Sequence, residues 1–322
     1  MSEISAVAIV GPTASGKSAL ALELAAAIGG EIVSADSRQV YRHLDIGTAK
    51  PTPAERARVP HHLIDVADPD DAFDAARFRA LALAAIGDVH ARGRAVVICG
   101  GTGLYLRVLL HGLFRGPAAA PDLRARLRAA EKAEGPGTLH RRLAALDPAS
   151  ARRLHPRDLF RIVRALEVLE LTGTPISAWQ ETHGFRTDGL RTLVLGCARH
   201  REELSARIEE RCRAMLGQGL VDEIRGLWAR GWGPDLPPLR SVGYRELGAY
   251  LQGACDEPTA VAAFARATRR LAKRQRTWFR AETAIEWFHP DHERTAMLAR
   301  AVMFLERPWL STTSTSSSPS PR

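Results

Sequence analysis

Ala6-Val-Ala-Ile-Val10 is an unbroken apolar run, too short for a helix and followed at once by glycine, so it predicts a strand buried on both faces. Residues 18–28 (SALALELAAAI) carry alanine and leucine almost throughout and predict a helix packed on a sheet. Residues 31–34, 95–99 and 192–198 repeat the short buried-strand pattern. Between Pro117 and Gly189 such runs vanish. There, 122–134, 138–146, 148–154 and 158–172 read as helices, bounded by Gly135-Pro136-Gly137, Asp147-Pro148, His155-Pro156 and Gly173. Leu159, Ile162, Val163, Leu166 and Leu169 form a stripe that such a small bundle would bury. Trp179, Gln180 and Phe185 are expected to pack where the bundle ends. A last helix is predicted over 295–304, with Pro308 helping to stop it, and the polar 311–322 tail has nothing to bury and is expected to be disordered.

The first strand and first helix are joined by Gly11-Pro-Thr-Ala-Ser-Gly-Lys-Ser18, which fits G-x-x-x-x-G-K-[ST] in the strand–loop–helix setting that pattern requires. Gly11 and Gly16 let backbone N–H groups converge on phosphate oxygens, and Pro12, Thr13, Ala14 and Ser15 span the loop between them. Lys17 supplies a point charge, and the Ser18 hydroxyl can reach Mg²⁺. Two more strand ends face the same edge. Asp36 follows the second strand, and Gly100-Gly101-Thr102-Gly103 follows the third, bringing the Thr102 hydroxyl and nearby amides towards a ligand. Open α/β sheets bind ligands there. A carboxylate at that position serves Mg²⁺ or an attacking nucleophile, so position leaves the role of Asp36 open. The expected fold is α/β: a P-loop NTPase-like parallel sheet flanked by helices, discontinuous over 1–116 and 190–306. An all-helical insert occupies 117–189 and a tail 307–322.

Taken together, GPTASGKS, ADSRQVYR at 35–42, DIGTAKP at 45–51, GGTGLYL at 100–106 and RSVGYRE at 240–246 resemble the tRNA dimethylallyltransferases, over about residues 5–290. The resemblance implies transfer of a dimethylallyl group from its diphosphate to N6 of adenosine 37, beside the anticodon, in tRNAs reading codons that begin with U, with Mg²⁺ as cofactor. It implies Asp36 as the base and Thr102 as a hydrogen-bond donor near the bridging oxygen of the leaving diphosphate. Residues 11–18 would hold that diphosphate, with one or both of Arg207 and Arg211 clamping it from an R-I-x-x-R helix. The chemistry is coherent: an adenine amine is a poor nucleophile that needs a proton acceptor, and the departing diphosphate needs preorganised cations and N–H donors.

For the tRNA, the resemblance implies contacts from Asp36, Ser37, Arg38, Gln39 and Thr102 at the acceptor base. It implies others from Arg124 and from Phe160, Arg161, Ile162, Val163 and Arg164 after the H-P-x-D-x-x-R pattern. Arg240, Ser241, Val242, Gly243, Tyr244 and Arg245 belong to a further motif. Lys273, Arg274, Gln275, Arg276, Thr277, Trp278, Phe279 and Arg280 belong to R-x-L-A-K-R-Q-x-T-W and its continuation. Arg38 departs from the apolar residue common at its position, and Gly103 is a permitted variant.

Charge adds to this picture. The 322-residue chain carries a formal net charge of +9, and residues 266–280 hold seven basic side chains in fifteen, a stripe that can track a phosphate backbone. Four scattered cysteines lack C-x-x-C spacing, which argues against a zinc site or disulfide framework, and His61-His62 are expected to shape a loop or contact RNA. With no long apolar run or signal-peptide pattern, the protein is expected to be a soluble, cytoplasmic monomer. Three alternatives stay open on the residues alone: a P-loop kinase or NTPase, a prenyltransferase acting on free AMP, ADP or ATP, and an RNA-binding module that only senses nucleotide.

Overall fold

A computed structural model describes residues 4–113, 116–183 and 189–306. Phe185 and the 307–322 tail lie outside the described residues. The chain divides into two compact units, Met1–Leu110 with Asp188–Arg322, and His111–Thr187, so the second begins before the expected boundary at Pro117.

In the larger unit six parallel strands form one sheet: β1 (Ile4–Val10), β2 (Glu31–Ser34), β3 (His61–His62), β4 (Val96–Gly100), β5 (Leu190–Cys197) and β6 (Ile285–Phe288). Their order is β3-β2-β4-β1-β5-β6. Ala8 of β1 pairs with Ile98 on one side and Val194 on the other, so β1 is a central strand, and cover on both faces of the sheet explains its unbroken apolar run. The helices Lys17–Ala27 and Arg294–Glu306 cover one face through Leu20, Leu24, Met297 and Phe304. On the opposite side the helix Ala75–Ala91 buries Phe78, which stacks on Tyr105 with ring centroids 4.0 Å apart. His61 and His62, expected in a loop, instead form β3 at one edge of the sheet, where His62 Nε2 lies 2.6 Å from Glu31 Oε2.

A second core in this unit gathers the helices Arg201–Gly217, Leu220–Ala229, Tyr244–Leu251 and Glu257–Arg280. Val40, Tyr41 and Leu44 insert into it, so the segment leaving β2 is pinned by helices distant in sequence. That anchorage places the end of the sheet carrying Asp36 beside the basic helix.

The smaller unit contains Pro121–Glu134, Thr138–Leu146, Pro148–Arg153, Leu159–Thr172 and Ile176–His183, with Leu127, Leu139, Leu143, Ile162 and Leu166 as its core. Glu167 is fully buried there and accepts from Arg124 at 2.7 and 2.8 Å, from Arg164 at 2.6 Å and from the Ala120 amide at 2.8 Å. Burial alone would raise its pKa, but the hydrogen bonds from Arg124, Ala120 and Arg164 outweigh it and hold the carboxyl at about 2. A depressed carboxyl pKa stabilises the fold above the ordinary carboxylate range and loses that contribution as pH falls towards 2. Glu167→Gln is therefore expected to cost about 3 kcal/mol near pH 7, because it leaves two partly buried arginines without their counter-ion. Thermal melts should show the gap to wild type narrowing below about pH 4; a gap constant with pH would contradict this.

Candidate functional site

The loop after β1 turns sharply because Gly16, at φ 98°, occupies the left-handed region as N-cap of the Lys17–Ala27 helix. The first amides of that helix consequently face the carboxyl edge of the sheet. Lys17 Nζ donates to the Pro12 carbonyl at 3.2 Å. Three side chains hold the loop from outside. Arg199 Nε donates to the Ser15 carbonyl at 2.8 Å, Arg207 Nε to the Ala14 carbonyl at 3.1 Å, and the Thr13 amide donates to Gln275 Oε1 at 2.9 Å. Arg199 is itself fixed by Asp291 through bonds of 2.6 and 2.7 Å.

Asp36 caps its own turn: Oδ1 accepts the Arg38 amide at 2.8 Å and the Gln39 amide at 3.4 Å, and Oδ2 has no hydrogen bond among the described residues. Thr102 Oγ1 accepts the Ser37 amide at 2.9 Å and donates to Ser37 Oγ at 3.3 Å, tying the β4 loop to the β2 loop. Gln275 Nε2 donates to the Gly101 carbonyl at 3.0 Å, so one amide clasps both the phosphate-type loop and the β4 loop. Trp278 lies flat against Gly103, where a Cβ would stand 2.2 Å from the indole, and Arg107 covers the ring at 4.7 Å.

An open cavity of about 380 Å³ lies among these loops, and its wall includes Lys17, Ser18, Asp36, Thr102 and Arg211. Arg240, Ser241, Val242, Arg245, Arg270 and Arg274 continue the wall. Burial lowers the pKa of Lys17 and Arg211 adds to the depression, while Asp36 opposes it. Burial likewise lowers the pKa of Arg211, again against the pull of Asp36. Two desolvated cations beside one carboxylate favour a polyanion over a neutral ligand. Burial raises Cys99 to about 11 and Cys197 to about 12, so both thiols stay protonated and inert. No cluster of three or more His, Cys, Asp or Glu side chains suited to a metal occurs among the described residues. The Ser18 hydroxyl on the cavity wall is a hard oxygen donor that suits a cation completing its shell with ligand phosphates and water, which leaves Asp36 Oδ2 free.

The residues expected to meet RNA divide into groups. Lys273, Arg274, Thr277 and Arg280 are exposed, as are Arg240, Arg245 and Arg161, and Arg276 is half-buried. Phe160 leaves 72% of its surface open in the smaller unit. Tyr244 and Phe279 are buried, and so are Ile162 and Val163, whose side chains fill the core of the helical unit and are not available for RNA contact. Arg124 and Arg164 are occupied by Glu167. Gln39 also has its amide committed within the protein: Oε1 accepts from Ser34 Oγ at 3.1 Å, and Nε2 donates to the Ala49 and Thr48 carbonyls at 3.0 and 3.3 Å. Of the two arginines in the R-I-x-x-R helix, Arg211 lines the cavity and Arg207 braces the loop. Sequence reasoning missed Arg199, for which a cation just after a strand's carboxyl end was the available signal, and Glu223, for which nothing local was.

The family model described as IPP transferase matches residues 39–282. A tRNA dimethylallyltransferase of Geobacter metallireducens is 53% identical over 92% of this chain and 96% of its own length. One from Anaeromyxobacter dehalogenans is 49% identical, covering 91% and 98%. Among solved structures, the full-length tRNA isopentenylpyrophosphate transferase of Bacillus halodurans superposes with TM-score 0.68 at 38% identity, covering 94% of this chain and 97% of that one. A eukaryotic dimethylallyltransferase acting on tRNA gives TM-score 0.75 at 26% identity, covering 93% and 78%.

Proposed function

Because the chain belongs to the IPP transferase family, we infer that it is a tRNA dimethylallyltransferase, moving a dimethylallyl group from its diphosphate to N6 of adenosine 37 in tRNAs that read codons beginning with U. The observation that carries the reading is one cavity lined by both halves of such a reaction, with an anion cradle at Lys17 and Arg211 and a free carboxylate oxygen at Asp36.

The diphosphate lies against the 11–18 loop at the first amides of the Lys17–Ala27 helix, with Lys17 and Arg211 opposite its charge. As the allylic C–O bond breaks, negative charge grows on the diphosphate where these desolvated cations stabilise it most. The Thr102 proton, held on Ser37 Oγ by only a long 3.3 Å contact, turns to the bridging oxygen at little cost. The adenine N6 lone pair forms the new C–N bond, and the amine proton passes to Asp36 Oδ2. Mg²⁺ held by Ser18 and the diphosphate oxygens would neutralise part of the leaving group's charge. Arg274, at once on the cavity wall and on the exposed basic stripe, suits an acceptor that continues as a polyanion outside the cavity. No helix among the described residues is long and apolar enough to cross a membrane.

Labelled dimethylallyl diphosphate with Mg²⁺ is expected to label an anticodon stem-loop RNA and to leave AMP and ATP unlabelled in parallel tubes. Label on AMP or ATP would move the assignment to an adenylate prenyltransferase. Loss of ATP without any prenylation would move it to an NTPase.

A further inference from the structure

Glu223 belongs to none of the motifs that point to the site, yet it holds part of the cavity wall. It sits in the first turn of the Leu220–Ala229 helix and faces three consecutive backbone amides of the 45–47 loop. Its Oε2 accepts the Asp45 amide at 2.9 Å and the Ile46 amide at 2.7 Å. Its Oε1 accepts the Gly47 amide at 3.2 Å and the Tyr244 hydroxyl at 2.6 Å. The Tyr244 ring closes over Gly47 so tightly that a Cβ there would stand 2.5 Å from it. Successive amides around one carboxylate form an anion nest, which fixes the loop's backbone as few single contacts can.

From this nest the effect reaches the carboxylate at the cavity. Gly47, Thr48 and Ala49 line the same cavity as Asp36. The Thr48 and Ala49 carbonyls take both protons of the Gln39 amide, and the Gln39 backbone N–H closes the turn on Asp36 Oδ1. Lys50, donating to the Tyr41 carbonyl and to Asp45 and Asp65, secures the far end of the loop. Glu223 secures the near end across 176 residues of sequence.

We propose that Glu223 is a positioning residue for the acceptor adenosine: it sets the 45–49 loop, through that loop Gln39, and through Gln39 the aim of the Asp36 carboxylate. This rests on the reading of the cavity as a prenyl-transfer site. The donor side, held by Arg199, Arg207 and Gln275, does not depend on Glu223, so the two substrates should respond differently.

Glu223→Gln keeps the shape but turns an amide N–H₂ against N–H donors. It is expected to lower kcat/KM for stem-loop RNA about tenfold or more, since small misplacements at a reacting centre are costly. The Kd for dimethylallyl diphosphate should stay within about twofold of wild type, as its cradle is untouched. Glu223→Asp, which keeps the charge, should recover part of the loss. Tyr244→Phe, which removes one donor and keeps the ring over Gly47, should show the same split in smaller measure and carries the test if Glu223→Gln fails to fold. Wild-type kcat/KM in Glu223→Gln, or equal losses for RNA and donor in both variants, overturns the proposal. Absence of RNA prenylation by the wild-type chain would instead overturn the functional reading, and the proposal with it.

Discussion

Asparagine at Asp36 is expected to slow dimethylallyl transfer by about 10²-fold or more, the loss typical of a positioned general base. Asparagine is the informative replacement because Asp36 has two tasks that the structure assigns to different oxygens. Oδ1 closes the 36–39 turn by accepting the Arg38 and Gln39 amides, whereas Oδ2 is left for the acceptor. An asparagine oxygen can still accept those amides but takes no proton. Alanine removes both tasks. If Asp36 is the base, asparagine and alanine should be nearly equal in kcat, with donor Kd little changed in the asparagine variant. Recovery of the wild-type rate by asparagine would mean that the residue only shapes the turn. Single-turnover rates measured with saturating donor separate these outcomes, since slow product release cannot then mask the chemical step.

Lys17→Met should reduce kcat/KM for dimethylallyl diphosphate by about 10²–10³-fold, comparable to deleting a preorganised charge stabiliser. Desolvation lowers the Lys17 pKa and nearby Arg211 lowers it further, and Asp36 opposes this without cancelling it, so without an anionic ligand the cation is only partly compensated. A diphosphate supplies what is missing, and more so as its charge grows in the transition state. An unusual pairing is expected: the variant should lose activity with little loss of thermal stability, because this half-buried ammonium is partly desolvated and its protein partners offset that cost only in part. A fall in melting temperature that accounts for the lost activity would contradict this, as would an unaltered kcat/KM.

Much of the fold is visible in local pattern. The first strand, the glycine loop and the helix after it follow from one apolar run, two glycines and an alanine-rich segment, and the structure places β1 over Ile4–Val10 and the helix over Lys17–Ala27. Helix limits in the smaller unit are set by Gly-Pro and Asp-Pro punctuation, so Thr138–Leu146 agrees with its reading residue for residue. The edge strands His61–His62 and Ile285–Phe288 are short and only half-buried, and their identity comes from pairing with β2 and β5, which no local window contains.

At the site, the residues legible in the sequence are those whose chemistry is special to their side chain: Lys17, Asp36, Thr102 and Arg211. Gln39 and Gln275 belong to recognisable motifs, but an amide serves RNA or protein equally well, and only the structure shows both spent within the protein, Gln275 on backbone and Gln39 on two carbonyls and the Ser34 hydroxyl. Ile162 and Val163 illustrate a related ambiguity, since their helical spacing fits a core stripe and the structure puts them there. Arg199 and Glu223 act on main-chain groups 184 and 176 residues away, contacts that leave no trace in local spacing.

The most direct measurement is the location of the product. Two unmodified anticodon stem-loops, one with adenosine at position 37 and one with guanosine there, would be incubated with the chain, Mg²⁺ and dimethylallyl diphosphate, then digested for fragment and nucleoside mass analysis. A single dimethylallyl group is expected on N6 of adenosine 37 in the first RNA and none in the second. Prenylation of the second RNA, or of another position in the first, would contradict the assignment of Asp36 and its cavity to that adenosine.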